Sequence, residues 1–332
     1  MEAVHGAAVS EMLCLSFLNV GDGDAAYVEC RFGARIFRML VDTGSADVNP
    51  QPGSLRLSAA DFLRERNVRY LDAVVITHLH TDHFGGLGEI LRTVEVGTVY
   101  ARFFPKPLAR YFCPPGQIKS VRGLYECLNL WSDFTEILRS RGTALRELPR
   151  ERETLRLWDG LEATFYGAPA ALAALETRVY SGIPAGQTFS IPELYLVSKL
   201  RNPCSLRLRL RYAGRQIELP GDCYGTMWEQ TAEACDLLKV PHHGDPKALT
   251  PGLVARLQPK WAVISCAEDY IPKKDRPSQR TLALLEAAGV PVSFTDAFSP
   301  PGGRAVYHKS VDFCIFKDGT VLSPTQGKKE KI

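Results

Sequence analysis

Three apolar stretches open the chain: Met12–Leu18, residues 25–30 and Arg35–Val41, separated by Gly21-Asp22-Gly23-Asp24 and by Gly33. Runs of aliphatic, β-branched and aromatic side chains bounded by glycine and aspartate predict consecutive strands. Residues 58–67 change period. Phe62 and Leu63 fall on one helical face, Ser58 stands at the N-cap position and Asp61 lies in the first turn. The unbroken apolar run at 73–77 predicts a strand buried on both faces, followed by a polar loop and a helix over 85–92.

Between 102 and 140 the rhythm breaks. Phe103, Phe104, Tyr111, Phe112, Tyr125, Trp131 and Phe134 come with Pro105, Pro107, Pro114 and Pro115. This reads as an aromatic-rich insertion with its own small core, part of which walls a pocket. Strand patterns resume at 205–212, 216–219, 237–240 and 261–266, interrupted by helical patterns at 224–234, 249–257 and 278–288. Strand groups in both halves, each finished by strand–helix alternation, predict two similar α/β halves packed sheet to sheet. Residues 1–325 form one expected unit, and the Lys-rich 326–332 reads as a disordered tail.

Composition narrows the function classes. The 332 residues are 45% hydrophobic, and 40 basic against 37 acidic side chains leave a net charge of only +3, which argues against a nucleic-acid binder held by a basic face. Nucleic acid stays open as a substrate only. No apolar run approaches the roughly 20 residues of a membrane span, and Glu2 and Glu11 do not suit a signal peptide. The nine cysteines contain no C-x-x-C pair and mostly sit in apolar runs, so reduced, buried thiols in a cytoplasmic protein are expected rather than disulfides or structural zinc.

The chemistry concentrates in two short segments. Thr77-His78-Leu79-His80-Thr81-Asp82-His83 follows one predicted strand, and Val240-Pro241-His242-His243-Gly244 follows another, so five of the seven histidines lie on two strand-end loops. Imidazoles and a carboxylate within one turn are a ligand set for divalent zinc, manganese or iron. Loops at the carboxyl ends of parallel strands are where open α/β sheets assemble their sites.

Thr-His-x-His-x-Asp-His followed by Phe84-Gly85-Gly86-Leu87 resembles the signature of the metallo-β-lactamase-fold hydrolases. Asn19-Val20-Gly21-Asp22-Gly23-Asp24-Ala25, Val41-Asp42-Thr43-Gly44, Leu219-Pro220-Gly221-Asp222 and Lys239-Val240-Pro241-His242-His243-Gly244 narrow the resemblance to the ComEC-type competence-protein hydrolase domain. The resemblance implies an αββα sandwich, two mixed β-sheets face to face with helices outside, and a site for two divalent ions, Zn or Mn. His78 and His80 would hold one ion, and Asp82, His83 and one of His242 and His243 the other. Asp222 would bridge them, with Asp42 behind the ligands orienting the loop. Asp82 and His242 are the implied catalytic residues, the latter as an oxyanion donor if His243 is the ligand. The implied reaction is metal-assisted hydrolysis of a phosphodiester or nuclease-like substrate. A lactone or other carboxyl ester, and a non-catalytic accessory role, are the alternatives, and the DNA-uptake role of the competence proteins is not carried over.

Two departures from that pattern stand out. Arg276-Pro277 occupies the place where the family more often has His-Pro, which makes Arg276 a candidate substrate-binding residue within Lys273-Lys274-Asp275-Arg276. No histidine occurs between Phe84 and Pro241, where relatives supply a third ligand to the ion at His78 and His80. Asn202 is the candidate replacement, against a simple turn role ahead of Pro203.

Overall fold

The computed structural model describes residues 11–148, 151–270, 274–296 and 308–324. Lys273, His5 and the basic tail lie outside them. Strands β1 (Met12–Leu18), β2 (Ala26–Phe32) and β3 (Arg35–Val41) form an antiparallel meander. Helix α1 (Ala59–Glu65) leads to β4 (Tyr70–Ile76), which pairs parallel to β3. As expected, the Ser58 side chain caps α1, accepting from the Asp61 amide. The short α2 (Thr81–Phe84) and α3 (Leu87–Thr93) then lead to β5 (Glu95–Ala101).

The expected insertion is built around α4 (Lys119–Ser140), a 22-residue helix that the prolines and scattered aromatics had masked. Its buried face, including Leu124, Trp131 and Phe134, covers the first sheet and a satellite core with Tyr180 and Val197. After β6 (Ala144–Glu147) the chain crosses to the second sheet with β7 (Arg152–Trp158) and β8 (Leu161–Tyr166). Helices α5 (Ala170–Gly182) and α6 (Ile191–Leu200) follow, and α6 starts on a Ser190/Glu193 capping box.

The second sheet continues with β9 (Arg207–Tyr212), β10 (Arg215–Leu219), β11 (Leu237–Lys239), β12 (Trp261–Ile264) and β13 (Val292–Phe294). Helices α7 (Pro251–Leu257) and α8 (Gln279–Ala287) pack on its outer face, each with a side-chain N-cap, Thr250 and Ser278. The helix expected over 224–234 is instead two short 3₁₀ turns, Gly225–Met227 and Glu229–Thr231. Strands β14 (Ser310–Phe316) and β15 (Val321–Leu322) return to the first sheet beside β1.

Among the described residues the sheets run β15-β14-β1-β2-β3-β4-β5-β6 and β13-β12-β11-β10-β9-β8-β7, both mixed. Alternation assigns the layers. Leu13, Leu15 and Phe17 of β1, Met39 of β3 and Val75 of β4 meet Leu208, Leu210, Ile217 and Val263 in the core between the sheets. Leu40, Val74 and Ile76 point the other way, under α1, α3 and α4. Burial on both faces explains why these strands read as continuous apolar runs.

The expectation of reduced thiols fails at one pair. Cys14 and Cys314 stand directly opposite each other across β1 and β14 and form a disulfide. They are 300 residues apart, so only the closing strand reveals the pair. Of the other seven, which are free, all but Cys113 are buried, as the sequence suggested. No helix among the described residues is long and apolar enough to cross a membrane.

Candidate metal centre

The carboxyl ends of β3, β4, β10, β11 and β12 converge along one edge of the two sheets. From β4 the chain passes through Thr77, His78 and Leu79 to His80, the residue preceding α2, whose single turn carries Asp82 and His83. Beyond β10, Gly221 adopts φ +56°, and a β-carbon there would meet the Thr77 side chain at 2.8 Å. Glycine lets the turn close and brings Asp222 against the β4 loop. Beyond β11, His242 and His243 both have positive φ, 49° and 55°. Asp42, after β3, has φ 57°. Non-glycine residues held there cost about 1–3 kcal/mol each, and they cluster where surrounding structure fixes side chains for function.

Each imidazole has a front and a back. Behind His83, Nδ1 lies 2.8 Å from Asp42 Oδ2; in front, Nε2 faces Asp222 Oδ1 at 3.3 Å without a hydrogen bond. Behind His243, Nδ1 meets the Ser265 carbonyl at 3.3 Å and Asp24 Oδ1 at 3.6 Å. In front, its Nε2 faces Asp82 Oδ2 at 3.7 Å and Asp222 Oδ1 at 3.9 Å. The front atoms His83 Nε2, His243 Nε2 and Asp222 Oδ1 are all buried without a hydrogen-bond partner. Buried polar atoms are normally paired, so three orphans facing one point fit a cation.

His78 and His80 form a neighbouring cluster. His78 Nε2 and His80 Nδ1 are 2.8 Å apart, and His78 Nε2 is 3.8 Å from Asp222 Oδ2. Ser205 Oγ sits 3.2 Å from His78 Nδ1 and accepts from the Asp222 amide at 3.2 Å, tying the two loops together. Two groups of ligand atoms, one from Asp24, His83, Asp222 and His243 and one from His78, His80 and Asp222, each lie within 4.8 Å of one another. Asp222 is common to both. Burial and the charge of neighbouring histidines push His78 well below its ordinary pKa, and burial with the Arg201 charge takes His80 down to about 3. Burial opposes ionisation of Asp222, yet His83, His242 and His243 hold its pKa well below the usual carboxylate range.

Asp42 accepts from the Thr77 amide at 2.9 Å and the Thr77 hydroxyl at 2.7 Å besides facing His83. His242 stands on the other side of Asp222, its Nε2 3.7 Å from Oδ2, and Arg276 and Asn202 both reach that nitrogen. Asn202 presents its amide nitrogen there, while its Oδ1 is buried and unpaired.

Several site residues were missed by sequence reasoning. Gly21-Asp22-Gly23-Asp24 reads as a tight turn between strands, with a backbone role near the site as the alternative, yet it is the Asp24 side chain that reaches the back of His243 and pairs with the buried Lys239. A carboxylate directly after Gly23 and two residues ahead of a strand was the available signal. Ser205, three residues after Asn202, belonged to the Asn…Ser pattern of the ComEC-like branch but was given no role.

Residues 37–106 match the family profile described as the Metallo-beta-lactamase superfamily. ComE operon protein 3 of Bacillus subtilis is 24% identical over 296 residues, which cover 85% of this chain and 32% of that protein, so the chain spans about a third of that relative's length. Among solved structures, the metallo-beta-lactamase fold protein YhfI from Bacillus subtilis aligns over 86% of this chain and 96% of its own, with 12% identity and a TM-score of 0.46. A diphosphatase from the PhnP family aligns over 92% and 99%, with 13% identity and a TM-score of 0.43. Residues 37–106 thus match the metallo-β-lactamase profile within a two-sheet α/β fold, and the chain resembles ComE operon protein 3 over most of its length.

Proposed function

We propose that this chain is a metal-dependent hydrolase acting on phosphoesters, most directly phosphodiesters, with two divalent ions, zinc or manganese. The observation that carries the reading is Asp222. One of its oxygens faces His83 and His243, the other faces His78, and the unpaired front atoms around it are buried. His78, His80 and Asp222 would hold one ion, and Asp82, His83, His243 and Asp222 the other. His243 is the ligand of the adjacent pair, because its Nε2 looks onto Asp222 and Asp82, whereas His242 Nε2 is engaged by Arg276 and Asn202.

Two such ions, when bound, lower the pKa of a water and neutralise charge on the attacking and leaving oxygens of an ester. The chain's own residues do the rest. Asp42, Asp24 and Ser205 fix the ring orientations from behind, so that the ring nitrogens facing Asp222 are offered without rotamer freedom. Asp82 is the least buried of these carboxylates, with a side chain 27% exposed, and against its burial the neighbouring His243, His83 and His80 hold its pKa well below the usual carboxylate range, so its Oδ2 is offered as an ionised oxygen. A cationic side chain, Arg276, stands beside His242, where an anionic substrate gains and a neutral one does not.

The test is a metal analysis of the purified protein followed by a substrate screen with Zn²⁺ and with Mn²⁺. Bis-p-nitrophenyl phosphate, plasmid DNA, a lactone and a chromogenic β-lactam cover the reaction classes. Metal-dependent turnover of the phosphodiesters supports the reading. Turnover of the lactone alone, or of nothing by a metal-loaded protein, refutes it.

A further inference from the structure

On the side of Asp222 away from His83, three side chains from distant segments meet at one atom. Arg276 Nη2 donates to His242 Nε2 at 2.5 Å, and Asn202 Nδ2 approaches the same nitrogen at 2.8 Å. A neutral imidazole nitrogen has one lone pair. It cannot satisfy a guanidinium N–H and an amide N–H together, so two donors contend for a single acceptor. An anionic oxygen has the lone pairs to take both.

The cluster is braced from behind. Asp245 Oδ2 lies 3.5 Å from His242 Nδ1 and 3.9 Å from Arg276 Nε, so one carboxylate faces both the ring and the guanidinium within ion-pair distance. Tyr224 lies against the His242 ring, with centroids 5.7 Å apart and an interplanar angle of 30°. The His242 side chain is 5% exposed and that of Arg276 is 20%, so the group opens to solvent through Arg276.

We propose that Arg276 and Asn202, converging at His242, form an oxyanion subsite that takes a non-bridging oxygen of the substrate's phosphoryl group beside Asp222. The proposal rests on the phosphoester reading and sharpens it. A phosphomonoester or diester carries negative oxygen before any bond is broken, whereas a lactone or amide carries none. The subsite therefore selects anionic esters in the ground state.

Inorganic phosphate is the probe, with acetate as the carboxylate comparison. Binding is measured by calorimetry on metal-loaded wild type, Arg276→Gln and Arg276→Lys, with metal content and thermal melting recorded for each. Hydrogen bonds to a charged group are worth about 1.5–3 kcal/mol, so Arg276→Gln is expected to weaken phosphate binding about ten- to a hundredfold at unchanged metal content. Arg276→Lys, which keeps the charge and loses the fork, should fall between and remains informative if the glutamine variant folds poorly. Phosphate affinity equal in all three proteins overturns the subsite. Acetate bound as tightly as phosphate overturns its phosphoryl selectivity. If phosphate binding depends on Arg276 yet no phosphoester is cleaved, the proposed activity falls and the subsite stands. If Asp222→Asn abolishes phosphoester cleavage while Arg276→Gln leaves phosphate affinity intact, only the subsite falls.

Discussion

Asp42 Oδ2 lies 2.8 Å from His83 Nδ1, with Thr77 donating twice to the same carboxylate. That triangle joins the ends of β3 and β4 and fixes which His83 nitrogen faces Asp222. Asp42→Asn replaces one acceptor oxygen by a donor that confronts either Thr77 or His83. Metal affinity should fall about ten- to a hundredfold, as for the loss of other carboxylates behind histidine ligands. Competition against a chromogenic chelator checks it. Unchanged affinity would mean that Asp42 serves the turn alone.

The two ions should not be held equally. His83 and His243 share their face with Asp222 and Asp82, whereas His78 and His80 have Asp222 and no third histidine. Titration of the metal-free protein should show a tight and a weaker step, with Mn²⁺ tolerated in the weaker one. The buried, unpaired Oδ1 of Asn202 is the proposed completion of the weaker site, so Asn202→Ala should lower only that affinity. Two equally tight zinc ions, indifferent to Asn202→Ala, would contradict this.

Much of the architecture was legible because its causes are local. Strands β1 and β3 coincide with their apolar runs to the residue, and the helix cap at Ser58 sits where the sequence put it. The His78-to-His83 cluster was legible for the same reason, since one turn of chain holds it. What escaped depends on closure over long distances. Cys14 meets Cys314 only when the last strands return beside β1, and Lys239 meets Asp24 only when the two sheets face each other. Helix α4 was hidden because the prolines at 105, 107, 114 and 115 ahead of it drew the whole segment into an irregular reading, although its buried positions from Val121 to Leu138 recur at helical spacing.

Asp82 is proposed to act on the reaction rather than on substrate binding. Its carboxylate looks onto His243 Nε2 at 3.7 Å and is partly open to solvent. Asp82→Ala should therefore lower kcat far more than it raises KM. Steady-state kinetics on bis-p-nitrophenyl phosphate decide it. A raised KM with kcat intact would assign Asp82 to binding.

Gly221 offers a structural test that leaves every ligand side chain unchanged. Its φ is +56°, and a β-carbon at this position would come within 2.8 Å of the Thr77 side chain, which leaves no room for a methyl group. Gly221→Ala should cost about 1–3 kcal/mol from backbone strain alone, seen as a lower thermal midpoint, and should loosen metal binding by moving Asp222. A variant as stable as wild type would show that the turn relaxes freely.

Asp222 is the residue on which the whole reading turns, and Asp222→Asn tests it most directly. The amide keeps the size of the side chain and removes the charge and the second equivalent oxygen needed to serve two cations. Metal content and phosphodiesterase rate are measured on the same preparations, wild type and variant, before chelation, after it, and after Zn²⁺ or Mn²⁺ is returned. The account predicts that chelation abolishes wild-type hydrolysis, that returned metal restores it, and that Asp222→Asn binds less metal and loses activity by orders of magnitude under every condition. Undiminished turnover by the chelated wild type, or by a folded Asp222→Asn protein, would contradict it.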